Sequence, residues 1–213
     1  MAEIVVDAQR RPATPSAGKV VIYPELPQTF LTTRDEAGFA HSISRRYNFS
    51  TTSQSPAAST AVYITGAQID LTDTPPIKLG ALFKWRLSMT KTAAGTATST
   101  FAVVVGESGN STDPAMLSFT KPAGTAAVDE AWVDIFVTLF NNNQTTNFSR
   151  GVFRMSHNLN STGHATIPFV SVGQFNGNFN WRSLSPLFFG LTINSGVGDV
   201  LTFQMVQAEA ILI

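Results

Sequence analysis

Two segments in which apolar and polar residues alternate limit what this chain can fold into. In Leu82–Thr90 every second residue from Phe83 onward is large and apolar, and Lys84, Arg86 and Ser88 stand between them. A second strand-like segment, Thr98–Gly106, follows after a short turn rich in Ala, Gly and Thr. Because successive side chains of a strand point to opposite faces, a period of two predicts β-strands rather than helices. The short turn predicts that the two strands form an antiparallel hairpin.

Further short strand-like segments, separated by turn-forming residues, fill the rest of the chain. Gly, Pro, Asn or Asp stands between nearly every pair of them, which is typical of a sandwich or barrel. The predicted strands after residue 59 span 60–71, 82–90, 98–106, 116–119, 132–140, 151–158, 165–172, 187–193 and 200–212. The predicted fold class is all-β: a jelly-roll-like antiparallel β-sandwich with an extended N-terminal β arm.

A change in composition divides the chain into three parts. Residues 1–50 carry 6 basic and 5 acidic residues, whereas the much longer remainder carries 8 and 9. A Ser/Thr/Gln/Pro run without apolar periodicity separates the two and is typical of a linker. We therefore predict an N-terminal attachment arm over 1–50, a linker over 51–59 and a sandwich domain over 60–213.

Both ends of the chain carry apolar residues that need a surface to cover them. The arm is predicted to hold three short strands, over 19–23, 29–34 and 39–43, which are too few for an independent core. It is either flexible or ordered against a neighbouring subunit. The apolar C-terminus is buried in the sheet or at a subunit contact. The candidate interface residues are Ile4, Val5, Val6, Val20, Ile22, Tyr23, Phe30, Ile211, Leu212 and Ile213.

Composition argues against several classes of protein. The chain has 14 basic and 14 acidic residues, and nucleic-acid binding needs a surplus of basic ones. It has no Cys, which excludes disulfides and thiolate metal sites, and no apolar stretch long enough for a membrane helix. The first residues lack the basic-then-apolar order of a signal peptide, so we expect the protein to start near Met1 and to fold in a cytoplasm. We predict neither a nucleic-acid nor a membrane partner.

Three groups of residues have side chains that could carry chemistry. His157 and His164 could bind a metal together with an Asp, but the spacing places no third ligand, so hydrogen-bonding roles are favoured. Gly106–Gly109 contains a Ser but lacks the strand-to-helix elbow of hydrolases and is expected to be a hairpin loop. A glycan-cleaving enzyme needs two carboxylates at a set separation, whereas the carboxylates here suit turns and strand ends. Those carboxylates are Asp70, Asp73, Asp129, Glu130 and Asp134. We predict no catalytic residue, cofactor or metal, and no enzyme activity.

A Gly/Asn-rich segment over 173–182 is predicted to be a loop that contacts either a ligand or another subunit. Aromatic faces beside amides and an Arg suit a sugar-binding loop, and they suit a subunit contact equally well. We favour the subunit contact. The candidate residues are Phe175, Phe179, Trp181 and Arg182.

Several of these segments, in their order along the chain, resemble a domain of tailed-bacteriophage virion structural proteins. The resemblance covers roughly residues 12–165 and rests on strand and turn patterns. The segments that carry it are Pro12–Tyr23, Phe83–Arg86, Thr90–Ala97, Phe101–Gly106, Asp113–Thr120, Phe153–Leu159 and Thr162-Gly163.

The resemblance implies a virion protein, assembled in the cytoplasm of the host bacterium and organised as a homotrimer. Its N-terminal arm would attach it to the major capsid protein or to another virion protein, and the sandwich would project. Members of the family are head decoration, head fibre or tail fibre proteins, and the family supplies no catalytic residues. We expect a capsid-decorating or cement protein that stabilises the head shell. The alternative is a tail fibre or receptor-binding protein that recognises host surface glycan.

Overall fold

The computed structural model describes residues 21–25, 30–34, 40–42, 44–72, 77, 80–142, 147–159, 161–165, 169–177, 186–198 and 200–212. Over these residues the chain is all-β, without a helix, and two antiparallel sheets pack face to face. The predicted all-β sandwich is therefore confirmed. No helix in the described part is long and apolar enough to cross a membrane.

Fourteen strands are present in the described residues. A separate three-stranded sheet contains β1 (Val21–Glu25), β2 (Phe30–Arg34) and β3 (Ala40–Ser42). The strands of the sandwich are β4 (Ser44–Ser50), β5 (Ala61–Tyr63), β6 (Ile69–Asp70), β7 (Leu82–Lys91), β8 (Ser99–Gly106), β9 (Ala115–Lys121), β10 (Asp129–Asn142), β11 (Asn147–His157), β12 (Phe169–Gly177), β13 (Phe188–Ser195) and β14 (Leu201–Leu212). One sheet of the sandwich has the order β12-β11-β10-β7-β14-β4, and the other has the order β5-β13-β8-β9 with β6 also paired to β13.

The predicted hairpin between Leu82–Thr90 and Thr98–Gly106 is wrong, although both strands exist. β7 pairs with β10 and β14 in the six-stranded sheet, whereas β8 pairs with β9 and β13 in the other. The connection between them therefore crosses from one sheet to the other. Seven residues can span the roughly 10 Å between packed sheets, and both strands have an apolar face to bury in the same core.

Aromatic rings from both sheets fill the core. Phe153 on β11 lies 5.2 Å from Phe101 on β8 and 5.8 Å from Phe119 on β9, measured between ring centroids. Phe83 on β7 stacks on Phe189 on β13 at 4.1 Å. All five side chains are at most 1% exposed, so their burial contributes a large share of the folding free energy.

The last strand, β14, contains a bulge at which the buried residues change from odd-numbered to even-numbered positions. Leu201 and Phe203 are buried before the bulge, and the alternating residues from Val206 to Leu212 are buried after it. The pairing with β7 shifts by one residue between Phe203 and Met205. Because one extra residue reverses which side chains face the core, both halves of the strand contribute apolar residues to the same core.

The structure can be compared with the predictions for the N-terminal arm, the linker and the apolar C-terminus. The three predicted arm strands are present as β1, β2 and β3, while β4, from the range assigned to the arm, pairs with β14 in the sandwich. The linker range also touches the sandwich, because Gln54 bridges to Phe203. Leu212 is buried in the sandwich core, and Ile211 is half-buried on the opposite face of β14. The side chains of the remaining candidate interface residues lie outside the described residues, namely Ile4, Val5, Val6, Val20, Ile22, Tyr23, Phe30 and Ile213.

Candidate functional site

A buried carboxylate lies at one end of the sandwich, where the segments after β9 and β11 meet. Asp129 opens β10, and its side chain is fully buried. It accepts backbone N–H hydrogen bonds from Glu130 (2.9 Å), Leu159 (3.2 Å) and His164 (2.9 Å). His157 Nδ1 lies 2.9 Å from its Oδ2. One carboxylate thus ties the start of β10 to the end of β11 and to the segment that follows.

The backbone hydrogen bonds keep Asp129 ionised. Burial raises the pKa of this carboxyl group, but the N–H groups of His164, Leu159 and Glu130 outweigh burial, so the pKa lies below its usual value. A carboxylate that accepts several N–H bonds is strongly favoured in its charged form. Asp129 therefore carries its negative charge inside the protein at neutral pH.

Gly163 is required beside this carboxylate. Its φ is +88°, and a Cβ at this position would lie 2.1 Å from Asp129 Oδ2. Its N–H donates to Thr125 Oγ1 at 2.6 Å, and its carbonyl accepts from the Thr125 N–H at 2.8 Å. Only glycine combines this backbone conformation with so close an approach.

His164 is fully buried, and its imidazole is held in the neutral form. Its pKa is lowered from 6.5 to about 4, first by burial and then by the ammonium groups of Lys121 and Lys91, against the opposing effect of the Asp129 carboxylate. Neither ring nitrogen has a hydrogen-bond partner among the described residues. The predicted hydrogen-bonding role is thus confirmed for the side chain of His157 and for the backbone of His164.

Two buried lysines complete the cluster. Lys121 Nζ donates to the carbonyl oxygens of Pro122 (2.9 Å), His164 (3.2 Å) and Ala97 (3.4 Å). Lys91 Nζ likewise donates to three carbonyls, of Thr92, Thr125 and Ala127. Each ammonium group therefore satisfies loop carbonyls that no strand pairs, which lets three connecting segments pack tightly at this end. Sequence reasoning missed this role, because the two lysines sit at strand ends where an exposed cation is usual.

The arrangement holds connecting loops together. Within the described ranges no group of three His, Asp or Glu side chains could hold a metal ion. Asp129 and Glu130 are neighbours on a strand, so one carboxylate points into the core and the other to solvent. Asp134 pairs with Arg86 at 2.8 Å, and Asp70 accepts from Thr72 in a turn. Asp73 lies outside the described residues.

The loop after β8 is the predicted hairpin loop, and its geometry explains the sequence. β8 and β9 pair antiparallel, and the Asp113 carboxylate accepts N–H bonds from Ser108, Gly109 and Asn110 at 2.8–3.3 Å. A Cβ on Gly106 would lie 2.3 Å from that carboxylate. The glycines therefore serve the turn.

The predicted loop over 173–182 is partly strand. β12 extends to Gly177, and Phe175 pairs with Ser149 of β11 and packs against the core. The prediction failed because Gly and Asn weaken a strand pattern even where the backbone continues in the sheet. Phe179, Trp181 and Arg182 lie outside the described residues.

Large exposed apolar side chains gather on the outer face of the six-stranded sheet. On the two edge strands, Tyr47 and Phe49 of β4 and Val170 and Val172 of β12 are each more than half exposed. Trp132 and Phe140 on β10 are about half exposed on the same face. Neighbouring exposed apolar groups that form a patch on one face are a common mark of an interaction surface.

A shallow depression of about 130 Å³ lies beside Trp132 on this face. Ser88, Glu130, Ser156 and Asn158 line it with hydroxyl, carboxylate and amide groups. An indole face beside such groups can stack on one side of a small polar ring and hydrogen-bond its edge. The sequence did not single out Trp132, since its exposure follows from its place on an uncovered sheet.

No protein-family model matches this chain, and a search of curated proteins found no significant match.

Proposed function

We propose that this protein is a structural component of a tailed-bacteriophage virion, a capsid-decorating or cement protein that binds and stabilises the head shell. The outer face of the six-stranded sheet carries this proposal, because it exposes large apolar side chains on both edge strands and on β10. A surface of this kind is stable in water mainly when a fixed neighbour covers it.

The mechanism is mass action on the assembled shell. A protein that binds the assembled shell and not its separated subunits shifts the equilibrium towards assembly, by an amount that grows with its concentration over its dissociation constant. Two further features support a role as a scaffold: charged residues make up only 13% of the chain, and the buried polar groups of the Asp129 cluster hold loops together. The homotrimer stays a prediction of the family resemblance.

The number of copies per particle tests the proposal most directly. Virions of the phage that encodes this chain would be purified, and the chain quantified against the major capsid protein by mass spectrometry with labelled standard peptides. Hundreds of copies are expected for a decoration protein. A few copies, or a few dozen, would move the protein to the tail or a vertex, and its absence from purified virions would refute the proposal.

A second function, recognition of host surface glycan, is favoured by the depression beside Trp132. Trp132→Ala should abolish binding of the purified protein to host cells. Phe140→Ala, which removes another half-exposed aromatic residue from the same strand, should leave binding unchanged. Equal binding by both variants and the wild type would exclude Trp132 as the recognition residue.

A further inference from the structure

The outward side chains of the six-stranded sheet form rows that run across all six strands. The pairing registers give one row from β12 to β4 as Val170, Arg154, Asp134, Arg86, Gln207 and Phe49. The next row, in the same order of strands, is Val172, Val152, Phe136, Lys84, Glu209 and Tyr47. In both rows apolar residues occupy the two edge strands. Between the edges the first row is charged or polar, whereas the second row has two apolar residues followed by Lys84 and Glu209.

We propose that this face binds a second copy of the chain, with the two sheets face to face about a two-fold axis that runs parallel to the strands between β10 and β7. The contact uses the same sheet face that carries the proposed function, so a second copy and the head shell would compete for this face. As a two-fold dimer it is an alternative to the homotrimer that the family resemblance implies, and it holds whether or not the protein belongs to a virion. An isologous contact of this kind places the same patch on both partners.

The order of residues in the rows is complementary to itself under this symmetry. The axis places β12 opposite β4 of the other copy, β11 opposite β14, and β10 opposite β7. Val170 then faces Phe49, Val172 faces Tyr47, and the apolar edges cover each other. Nearest the axis, Asp134 of each copy faces Arg86 of the other.

A third row and the centre of the second row also place no like charges opposite each other. In the row that contains Arg150 and Arg45, Arg150 faces Ile211, and Arg45 faces Gln174. In the second row, Phe136 of one copy faces Lys84 of the other, a pair that already lies 5.5 Å apart within the chain. Opposite charges face each other only at the two Asp134–Arg86 pairs, and these pairs favour this docking geometry.

The other face-to-face arrangement is disfavoured. A two-fold axis across the strands, between the two rows, would place each strand opposite itself. Arg86 of each copy would then face Lys84 of the other, and like charges in a contact are strongly unfavourable. The order of charges therefore favours the axis parallel to the strands over this one.

The size of the face is sufficient for a stable dimer. Six strands at the usual spacing give a width of roughly 24 Å, and the three rows that cross all six strands give a length of roughly 20 Å. A fourth row, which contains Trp132 and Ser88, crosses the four central strands and adds roughly 100 Å². The flat area is therefore roughly 600 Å² for each copy and roughly 1,200 Å² for both, at the lower end of the range of stable interfaces. The depression beside Trp132 falls inside this area, so a bound saccharide and the second copy would compete.

Charge reversal at the centre of the face tests the contact. We expect wild-type protein to be dimeric by light scattering, and Asp134→Arg and Arg86→Asp to raise the dimer dissociation constant by roughly a hundredfold or more, since each variant sets like charges opposite each other twice. Mixing the two variants restores both attractions, so an equimolar mixture should form a heterodimer. The double variant Asp134→Arg with Arg86→Asp keeps every pair and should dimerise as the wild type does.

Further measurements distinguish a variant that has lost the dimer contact from one that has lost its fold. The Arg86–Asp134 pair within the chain is partly exposed, and such pairs add little to stability, so each single variant should keep the wild-type circular dichroism spectrum. Val172 is 71% exposed, and Val172→Lys should dissociate the dimer without affecting folding. A monomeric or trimeric wild type, or single variants that remain fully dimeric, would overturn the proposal. The molar masses measured by light scattering do not depend on whether the protein is found in virions.

Discussion

Replacing His164 by Leu should remove a large part of the pH dependence of folding. The folded pKa of His164 is about 4, whereas the unfolded chain binds its proton near the usual 6.5. Between these values the unfolded state holds more protons than the folded state, so stability falls as the pH falls. The loss from this residue alone is about 2 kcal/mol between pH 7 and pH 5 and about 3 kcal/mol by pH 4.

Urea unfolding followed by tryptophan fluorescence measures the effect. The free energy of unfolding would be determined for the wild type and for His164→Leu at several pH values from 7 to 5, where ordinary carboxyl groups stay largely ionised. We expect the two curves to diverge by about 2 kcal/mol over this range, with the variant the flatter of the two. Val133→Ala, a core substitution without a titrating group, should lower stability while leaving the wild-type slope intact.

Titrating the histidines of the wild-type protein measures the pKa of His164 directly, without relying on the fold of the variant. The ring carbon signals of the three histidines can be followed by NMR in the wild-type protein, and the signal that is absent from His164→Leu should move with a midpoint near pH 4. Equal slopes for the two proteins, together with a midpoint near 6.5 for that signal, would refute the reasoning about burial and the neighbouring lysines.

Three further predictions concern packing and are measured as changes in the free energy of unfolding at pH 7. Gly163→Ala should cost at least about 3 kcal/mol, because the new Cβ meets Asp129, whereas Gly198→Ala has a similar φ of +82° with only an ordinary contact at 4.0 Å and should cost about 1 kcal/mol; equal costs would contradict the clash. Asp129→Ala should cost about 3–5 kcal/mol, since several buried donors lose their acceptor; a cost below 1 kcal/mol would show that the cluster does not hold the loops. Phe153→Ala should cost about 3–5 kcal/mol, against less than about 0.5 kcal/mol for Phe49→Ala measured on the monomer, because only the first ring lies in the core.

Strand positions were predictable from the sequence because apolar residues with a period of two report burial directly. The buried face of β7 follows the alternation from Phe83 as predicted, and the buried residues of β10 alternate in the same way from Val133. Which strands pair was not predictable in the same way, since a short turn can close a hairpin or cross between sheets. The bulge near Gln204 could not be predicted from the sequence either. Before the bulge the buried residues have odd numbers, Leu201 and Phe203, whereas after it they have even numbers, starting at Val206.

The sequence identified some residues of the site by their type, but it could not predict how deeply each one is buried or what it contacts. Spacing could place His157 and His164 near each other, but the burial of Asp129 depends on three segments that are far apart in sequence. Lys121 belongs to a residue type that is rarely buried, and its role appears only where loop carbonyls converge on it. Sequence patterns report local geometry, whereas these contacts are set by tertiary packing.

Gly151 and Gly173 are direct partners across β11 and β12, and both face β9. A Cβ on Gly151 would lie 2.8 Å from Leu117 and from Phe119, and a Cβ on Gly173 would lie 3.0 Å from Phe119. The two missing side chains set how closely the sheets approach on this side of the sandwich. Over evolutionary time, a methyl group gained on either strand must be matched by volume lost from Leu117 or Phe119, so these four positions should change together rather than singly.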